Sequence, residues 1–131
     1  MALRFFVLAF FIFAGLSFES ARLACAADSV VQAPTFFAML PDVPLMTGLT
    51  ELPGAALTFD KPEGRIVESA AEGSAEALSP IAVRLFYDRT LPQLGWLPVD
   101  ENGTFRRESD MLRYRIERHP ERIIVHFTVH P

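Results

Sequence analysis

The chain has 131 residues, half of them hydrophobic, with 12 basic and 16 acidic residues and a formal net charge of −4. That balance excludes general nucleic-acid binding, which needs a basic footprint on the phosphate backbone. A single cysteine, Cys25, leaves no disulfide framework, so the core alone has to hold the domain together.

The N-terminus reads as an export signal. Met1-Ala2-Leu3-Arg4 supplies one positive charge, Phe5 to Leu16 an apolar run, and Ala24-Cys25-Ala26-Ala27 a small-x-small cleavage site. The run is shorter than the ~20 residues a membrane-spanning helix needs, so no transmembrane span is expected after cleavage. Residues 1–26 are assigned to the signal, and cleavage after Ala27 would also serve. A lipoprotein acylated at Cys25 is disfavoured, because Arg22 stands where a lipobox has an aliphatic residue. The expected location is the periplasm. From Asp28 onward there are 15 acidic and 10 basic residues, and nine of those ten cations are arginine.

Residues 27–53 read as an extended lead-in, punctuated by Pro34, Pro41, Pro44 and Pro53, through which no helical or strand period survives. It is too apolar for a flexible linker. Either it wraps the core, or it presents Phe36, Phe37, Leu45 and Met46 to a protein partner.

Residues 54–131 are expected to form a single α+β domain. Ala55–Asp60 and Arg65–Ser69 pair as a hairpin around Lys61-Pro62-Glu63-Gly64. After a small, polar stretch from Glu72 to Ala77, Ser79 at the N-cap and Pro80 at the first helical position start a helix. Its expected buried stripe is Ile81, Leu85, Phe86, Leu91 and Leu94, and Gly95 ends it.

The last third reads as an antiparallel meander. A three-residue loop, Glu101-Asn102-Gly103, would set Val99 opposite Phe105 and Leu97 opposite Arg107. A turn at Ser109-Asp110 would set Phe105 opposite Tyr114 and Arg106 opposite Arg113. A turn at Pro120-Glu121 sets Ile116 opposite Val125, Tyr114 opposite Phe127 and Leu112 opposite Val129. The fold expected is an antiparallel sheet with one helix on its apolar face, in the order β-β-α-β-β-β-β. The other face would carry Arg106, Arg113, Arg115, Glu117, Ile124, His126 and Thr128.

The stretch Phe86-Tyr87-Asp88-Arg89-Thr90-Leu91-Pro92-Gln93-Leu94-Gly95-Trp96, followed by Phe105-Arg106-Arg107-Glu108, resembles a pattern in small exported bacterial proteins of unknown function. Upstream, Asp42-Val43-Pro44-Leu45-Met46-Thr47-Gly48-Leu49 is similar to the lead-in of such proteins. The resemblance covers most of the mature chain. It implies a cell-envelope setting in an alphaproteobacterial type of bacterium and carries no biochemical activity.

No recognised catalytic frame stands out. There is no G-x-S-x-G elbow and no glycine-rich phosphate loop, and the pairs Asp60/Glu63 and Glu108/Asp110 flank turns. His126 and His130 share a strand face but lie about 13 Å apart, too far for one ion. No metal or cofactor is expected. Arg106, Arg113 and Arg115 form the strongest polar constellation, either neutralised by Glu108 and Glu117 or open to an anionic partner. The functional expectation is a non-catalytic periplasmic domain that binds an envelope protein. The alternatives are a small apolar or anionic ligand held near Phe59, Phe86 and Trp96, or a hydrolase with an unrecognised site.

Overall fold

A computed structural model describes residues 35–131. The expected signal and cleavage site lie outside the described residues. Among these residues nine strands, one α-helix and a 3₁₀ turn follow in chain order. Three strands of two residues lie in the lead-in: β1 (Thr35–Phe36), β2 (Pro44–Leu45) and β3 (Thr50–Glu51). The hairpin β4 (Leu57–Lys61) and β5 (Gly64–Ser74) precedes the helix α1 (Pro80–Thr90). After it come β6 (Leu97–Pro98), β7 (Thr104–Arg107), β8 (Asp110–Arg118) and β9 (Arg122–His130).

The architecture is α+β, mostly antiparallel sheet with the helix packed on one face, and the order of the long elements is the expected one. In the main sheet the order is β3-β5-β9-β8-β7-β6, and β4 joins the same edge of β5 as β3. The first hairpin thus lies next to the last strand: β5 pairs with β9 over eight residues, from Val67↔Val129 to Ser74↔Arg122. This strand runs five residues beyond Ser69, through the stretch expected to be a small, polar connection.

The helix starts as its sequence dictates. Ser79 Oγ accepts a hydrogen bond from the Ala82 N–H at 3.1 Å, and Pro80 occupies the first turn without losing a bond. Leu91–Leu94 then tighten into a 3₁₀ turn around Pro92, and Gly95, at φ 88°, takes the left-handed conformation that ends it. The buried stripe is Val83, Tyr87 and Leu91, whereas Ile81 and Leu85 face solvent. Both stripes have the four-residue spacing of a helix face. The Tyr87 ring, 5.0 Å from Phe127 and 5.6 Å from Tyr114, fixes which of them turns inward.

The hairpin registers separate into one that is as expected and two that are not. β8 and β9 pair with Ile116↔Val125, Tyr114↔Phe127 and Leu112↔Val129, as the turn at Pro120-Glu121 dictates. Between β7 and β8 the turn residues are Glu108-Ser109, with Glu108 at φ 54°. Phe105 therefore faces Leu112, and Arg106 faces Met111 rather than Arg113. The shift is two residues, so every side chain keeps its face, and Phe105 still stacks diagonally on Tyr114 at 6.1 Å.

The β6–β7 connection differs by one residue, which has the opposite consequence. Pro98 faces Phe105 and Leu97 faces Arg106, with the Val99 N–H bonded to the Thr104 carbonyl. A slip of one residue exchanges the faces of a strand, and Leu97 and Val99 are accordingly exposed. The cause is Asp100, whose Oδ1 accepts from the N–H groups of both Asn102 and Thr104 and so holds a four-residue loop closed.

The lead-in belongs to the core. Phe37, Leu40, Val43 and Leu49 are buried with Val83, Tyr87, Trp96 and Phe127, and Leu45 and Met46 pack against them. Glu51 secures it, with one carboxylate oxygen accepting from the Ala38 N–H and the other from the Ser69 hydroxyl. Arg107 clamps it from β7, bonding Asp42 at 2.7 Å while lying over the Trp96 ring at 4.4 Å. Gly73 makes the close approach possible, because a Cβ there would stand 2.5 Å from the Gly48 carbonyl oxygen.

Candidate binding face

The helix and the lead-in both pack on one face of the sheet. The other face carries the alternate residues: Glu68, Ala70 and Glu72 on β5, Ile124, His126 and Thr128 on β9, and Arg113, Arg115 and Glu117 on β8. It forms an open trough of 620 Å³. Arg113, Arg115, His126 and Thr128 make its floor, Leu52 and Ala55 stand on the β5 side, and Asp100 and Asn102 stand on the other.

Strand register sets the floor as a two-by-two array. Arg113 lies opposite Thr128 and Arg115 opposite His126, while Ala70 and Glu68 continue the two rows onto β5. Successive same-face residues stand about 7 Å apart along a strand, so the two guanidinium groups point out of the sheet side by side. The charge of Arg115 is answered locally. Arg115 pairs with Glu117 at 3.1 Å. Glu117 also faces His126 at 3.6 Å and His119 at 3.9 Å through its other oxygen. The His126 Nε2 atom is shielded from solvent and makes no hydrogen bond.

Arg113 lies on the side of the Asp100 wall. Desolvation raises the pKa of Asp100, but the Asn102 N–H, the Thr104 N–H and the positive charge of Arg113 outweigh it and hold this carboxyl below its ordinary range. Asp100 thus shapes the loop and places a negative charge on the trough wall, within electrostatic reach of Arg113. Glu108, expected among the neutralising acids, sits instead in the β7–β8 turn.

The residues singled out from the sequence separate. Arg113 and Arg115 lie in the trough, while Arg106 stands two strands from the sheet centre, facing Met111 and Leu97. In the lead-in, Phe36 is exposed, Leu45 and Met46 are half-buried against the core, and Phe37 is 1% exposed, with its ring 4.9 Å from Phe127. Phe37 is therefore occupied by the core and has no surface to offer a partner. Phe59, Phe86 and Trp96 do not meet: Phe59 is on the exposed strand β4, Phe86 packs edge-on against Tyr87, and Trp96 is buried under Arg107.

What the sequence left out is the pair of walls. The Pro53-Gly54 turn that brings Leu52 and Ala55 over the sheet, and the Asp100-x-Asn102-Gly103 pattern that raises the opposite side, were both visible as turn chemistry but not as parts of one site.

The helix side has a polar contact of its own. The Tyr114 hydroxyl donates to Asp88 Oδ1 at 2.7 Å, joining β8 to α1. Burial, followed by the adjacent carboxylate, pushes this phenol's pKa well above its ordinary value. Among the described residues no group of three or more histidine, cysteine or carboxylate side chains is placed to hold a metal ion, and no helix is long and apolar enough to cross a membrane. No protein-family model matches the chain, and neither a curated protein nor a solved structure is significantly similar to it.

Proposed function

We propose that this is a non-catalytic binding domain of the cell envelope that holds a protein partner against its open sheet face. The exported setting rests on the N-terminal sequence and on the resemblance of the chain to small exported alphaproteobacterial proteins. The observation that carries the binding reading is the asymmetry of the sheet. One face is filled by helix and lead-in, and the other is left bare as a walled trough.

Its chemistry suits a protein surface better than a small molecule. Small-ligand sites are enclosed and mostly apolar with a few polar groups. Here the trough is open and mixed, with Leu52, Ala55 and Ile124 beside Arg113, Arg115 and Glu68. Protein interfaces have that mixture. The pairing of Arg115 with Glu117, and the negative charge of Asp100 on the wall near Arg113, weaken the positive pull that a free anion would need.

Site-specific photocrosslinking in cells tests the reading. Crosslinkers at Arg115 and Thr128 are expected to trap one defined protein, and a crosslinker at Arg89 on the exposed side of α1 is expected to trap none. Adducts that are absent from the trough, or identical from both positions, overturn it.

A further inference from the structure

A separate feature lies at the sheet edge. β4 has β5 as its only strand partner among the described residues, and all five of its residues are exposed. The Leu52 N–H bonds the Ala70 carbonyl, so the even-numbered residues of β5 aim their backbone groups at this edge. Glu68, Ile66 and Gly64 face Leu57, Phe59 and Lys61, which therefore use their backbone groups inward. Thr58 and Asp60 are left with N–H and C=O groups pointing outward, unpaired. On the open side of the sheet the same strand exposes Leu57 and Phe59, each 48% accessible, beside Ile66.

We infer that β4 pairs antiparallel with β4 of a second copy of this chain, centred on Phe59. Antiparallel pairing sets outward-directed residues against each other. Full overlap of the five-residue strand does this in one register: Thr58 opposite Asp60 of the other copy, Phe59 opposite Phe59, and Leu57 opposite Lys61. Four backbone hydrogen bonds form, two at each Thr58–Asp60 pair. Phe59 meets its copy at the close, non-hydrogen-bonded position, where aromatic pairs gain most from contact. The Lys61 stem covers Leu57 and leaves its ammonium in water. A two-residue displacement towards the turn would set Asp60 against Asp60, and like charges directly opposite repel.

The remaining charges do not obstruct this register. Asp60 is already engaged by Arg65 at 3.0 Å within its own hairpin. The partner's Pro62-Glu63 turn falls beside Gly54 and Ala55, and a Cβ built on Gly54 meets nothing within 4 Å. The two-fold axis stands perpendicular to the sheet, so both open faces look the same way and the two troughs lie on one continuous surface. The contact is smaller than the ~800 Å² per partner of a stable complex, so the dimer is weak and concentration-dependent.

The test uses the whole chain with Cys25→Ser. Sedimentation over a concentration series reaching about 0.5 mM, within the range where weak association is visible, is expected to show a monomer–dimer equilibrium. Phe59→Cys should form a disulfide dimer at least about tenfold faster than Ile81→Cys on the exposed helix face, because pairing raises the local thiol concentration. Thr58→Pro removes only an outward N–H, so it should retain the fold by circular dichroism and abolish the dimer. A monomer at every concentration, equal oxidation rates for the two cysteine variants, or undiminished dimer with Thr58→Pro overturns the inference. So does capture of a foreign strand at Phe59 by a chain that is monomeric alone.

Discussion

Phe36 and Phe37 are adjacent and chemically identical, yet the fold gives them opposite environments. Phe37 is 1% exposed and packs on Phe127, whereas Phe36 is 39% exposed on β1. Phe37→Ala removes a fully buried ring and leaves a cavity in the core beside Phe127. Transfer and cavity contributions for a buried Phe→Ala together come to about 3–5 kcal/mol. A domain of this size has a total stability of roughly 5–15 kcal/mol, so the loss is a large share of the whole. At roughly 4–8 °C per kcal/mol, the Tm should fall by more than about 12 °C. Phe36→Ala should change stability by less than about 1 kcal/mol. Urea titration of both variants, followed by far-ultraviolet circular dichroism and tryptophan fluorescence, measures the two differences. Trp96 is the sole tryptophan and lies in the same core, so its emission reports the packing directly. A Phe37→Ala loss below about 1 kcal/mol would refute the assignment of the lead-in to the core and make it a detachable segment.

Other contacts make separate predictions. Tyr114→Phe deletes the hydroxyl that bonds Asp88 and should cost about 1–2 kcal/mol in denaturant titration, with the sheet intact by circular dichroism. Arg107→Met keeps much of the stem over Trp96 but loses the cation and the Asp42 pair; a loss of about 1 kcal/mol is expected. A double-mutant cycle with Asp42→Asn should show the two changes to be non-additive. Asp100 is held below its unfolded value of 3.8. Its contribution to stability is therefore fully present above that value and lost as pH falls through the folded pKa. The stability-versus-pH curve of Asp100→Asn should be flatter than wild type on the acid side only; a difference confined to neutral pH contradicts the assignment. Gly73→Ala forces a methyl group onto the Gly48 carbonyl and should lower the Tm markedly; Gly54→Ala meets no atom but must hold alanine at φ 80°, so it should cost a smaller amount, about 1 kcal/mol.

The parts legible in the sequence are those governed by a period. Ile123, Val125 and Phe127 alternate with Ile124, His126 and Thr128 over an uninterrupted strand, and the partner strand has Leu112, Tyr114 and Ile116 in step. One turn then fixes both faces. The helix start was equally plain, because Ser79-Pro80 combines a side-chain acceptor with a residue that has no N–H to lose. Its inward stripe was not, since Ile81/Leu85 and Val83/Tyr87 obey the same spacing. Apolarity favours the first pair. The second wins because tyrosine buries a large ring against Phe127 and Tyr114. The lead-in resisted for another reason. Its prolines abolish any period, so the burial of Phe37, Leu40, Val43 and Leu49 depends on long-range contacts to Glu51, Gly73 and Arg107.

The same distinction explains the candidate site. Strand parity and the β8–β9 register put Arg113, Arg115, His126 and Thr128 on one face, and the two-residue shift of β7 against β8 keeps Arg106 on that face too, because the side-chain period is two. The shift does separate Arg106 from Arg113, since Met111 stands opposite Arg106 instead. The walls obey no period. They depend on which carboxylate captures which N–H, as Asp100 does with Asn102 and Thr104. That capture alters the chemistry as well as the shape, since it fixes a carboxylate on the wall whose charge reaches Arg113, while Arg115 is paired with Glu117. A surface with charges of both signs and apolar groups on its walls gains little from a simple anion. It gains more from a partner that presents acids, bases and apolar groups in a fixed arrangement, which a folded protein surface does.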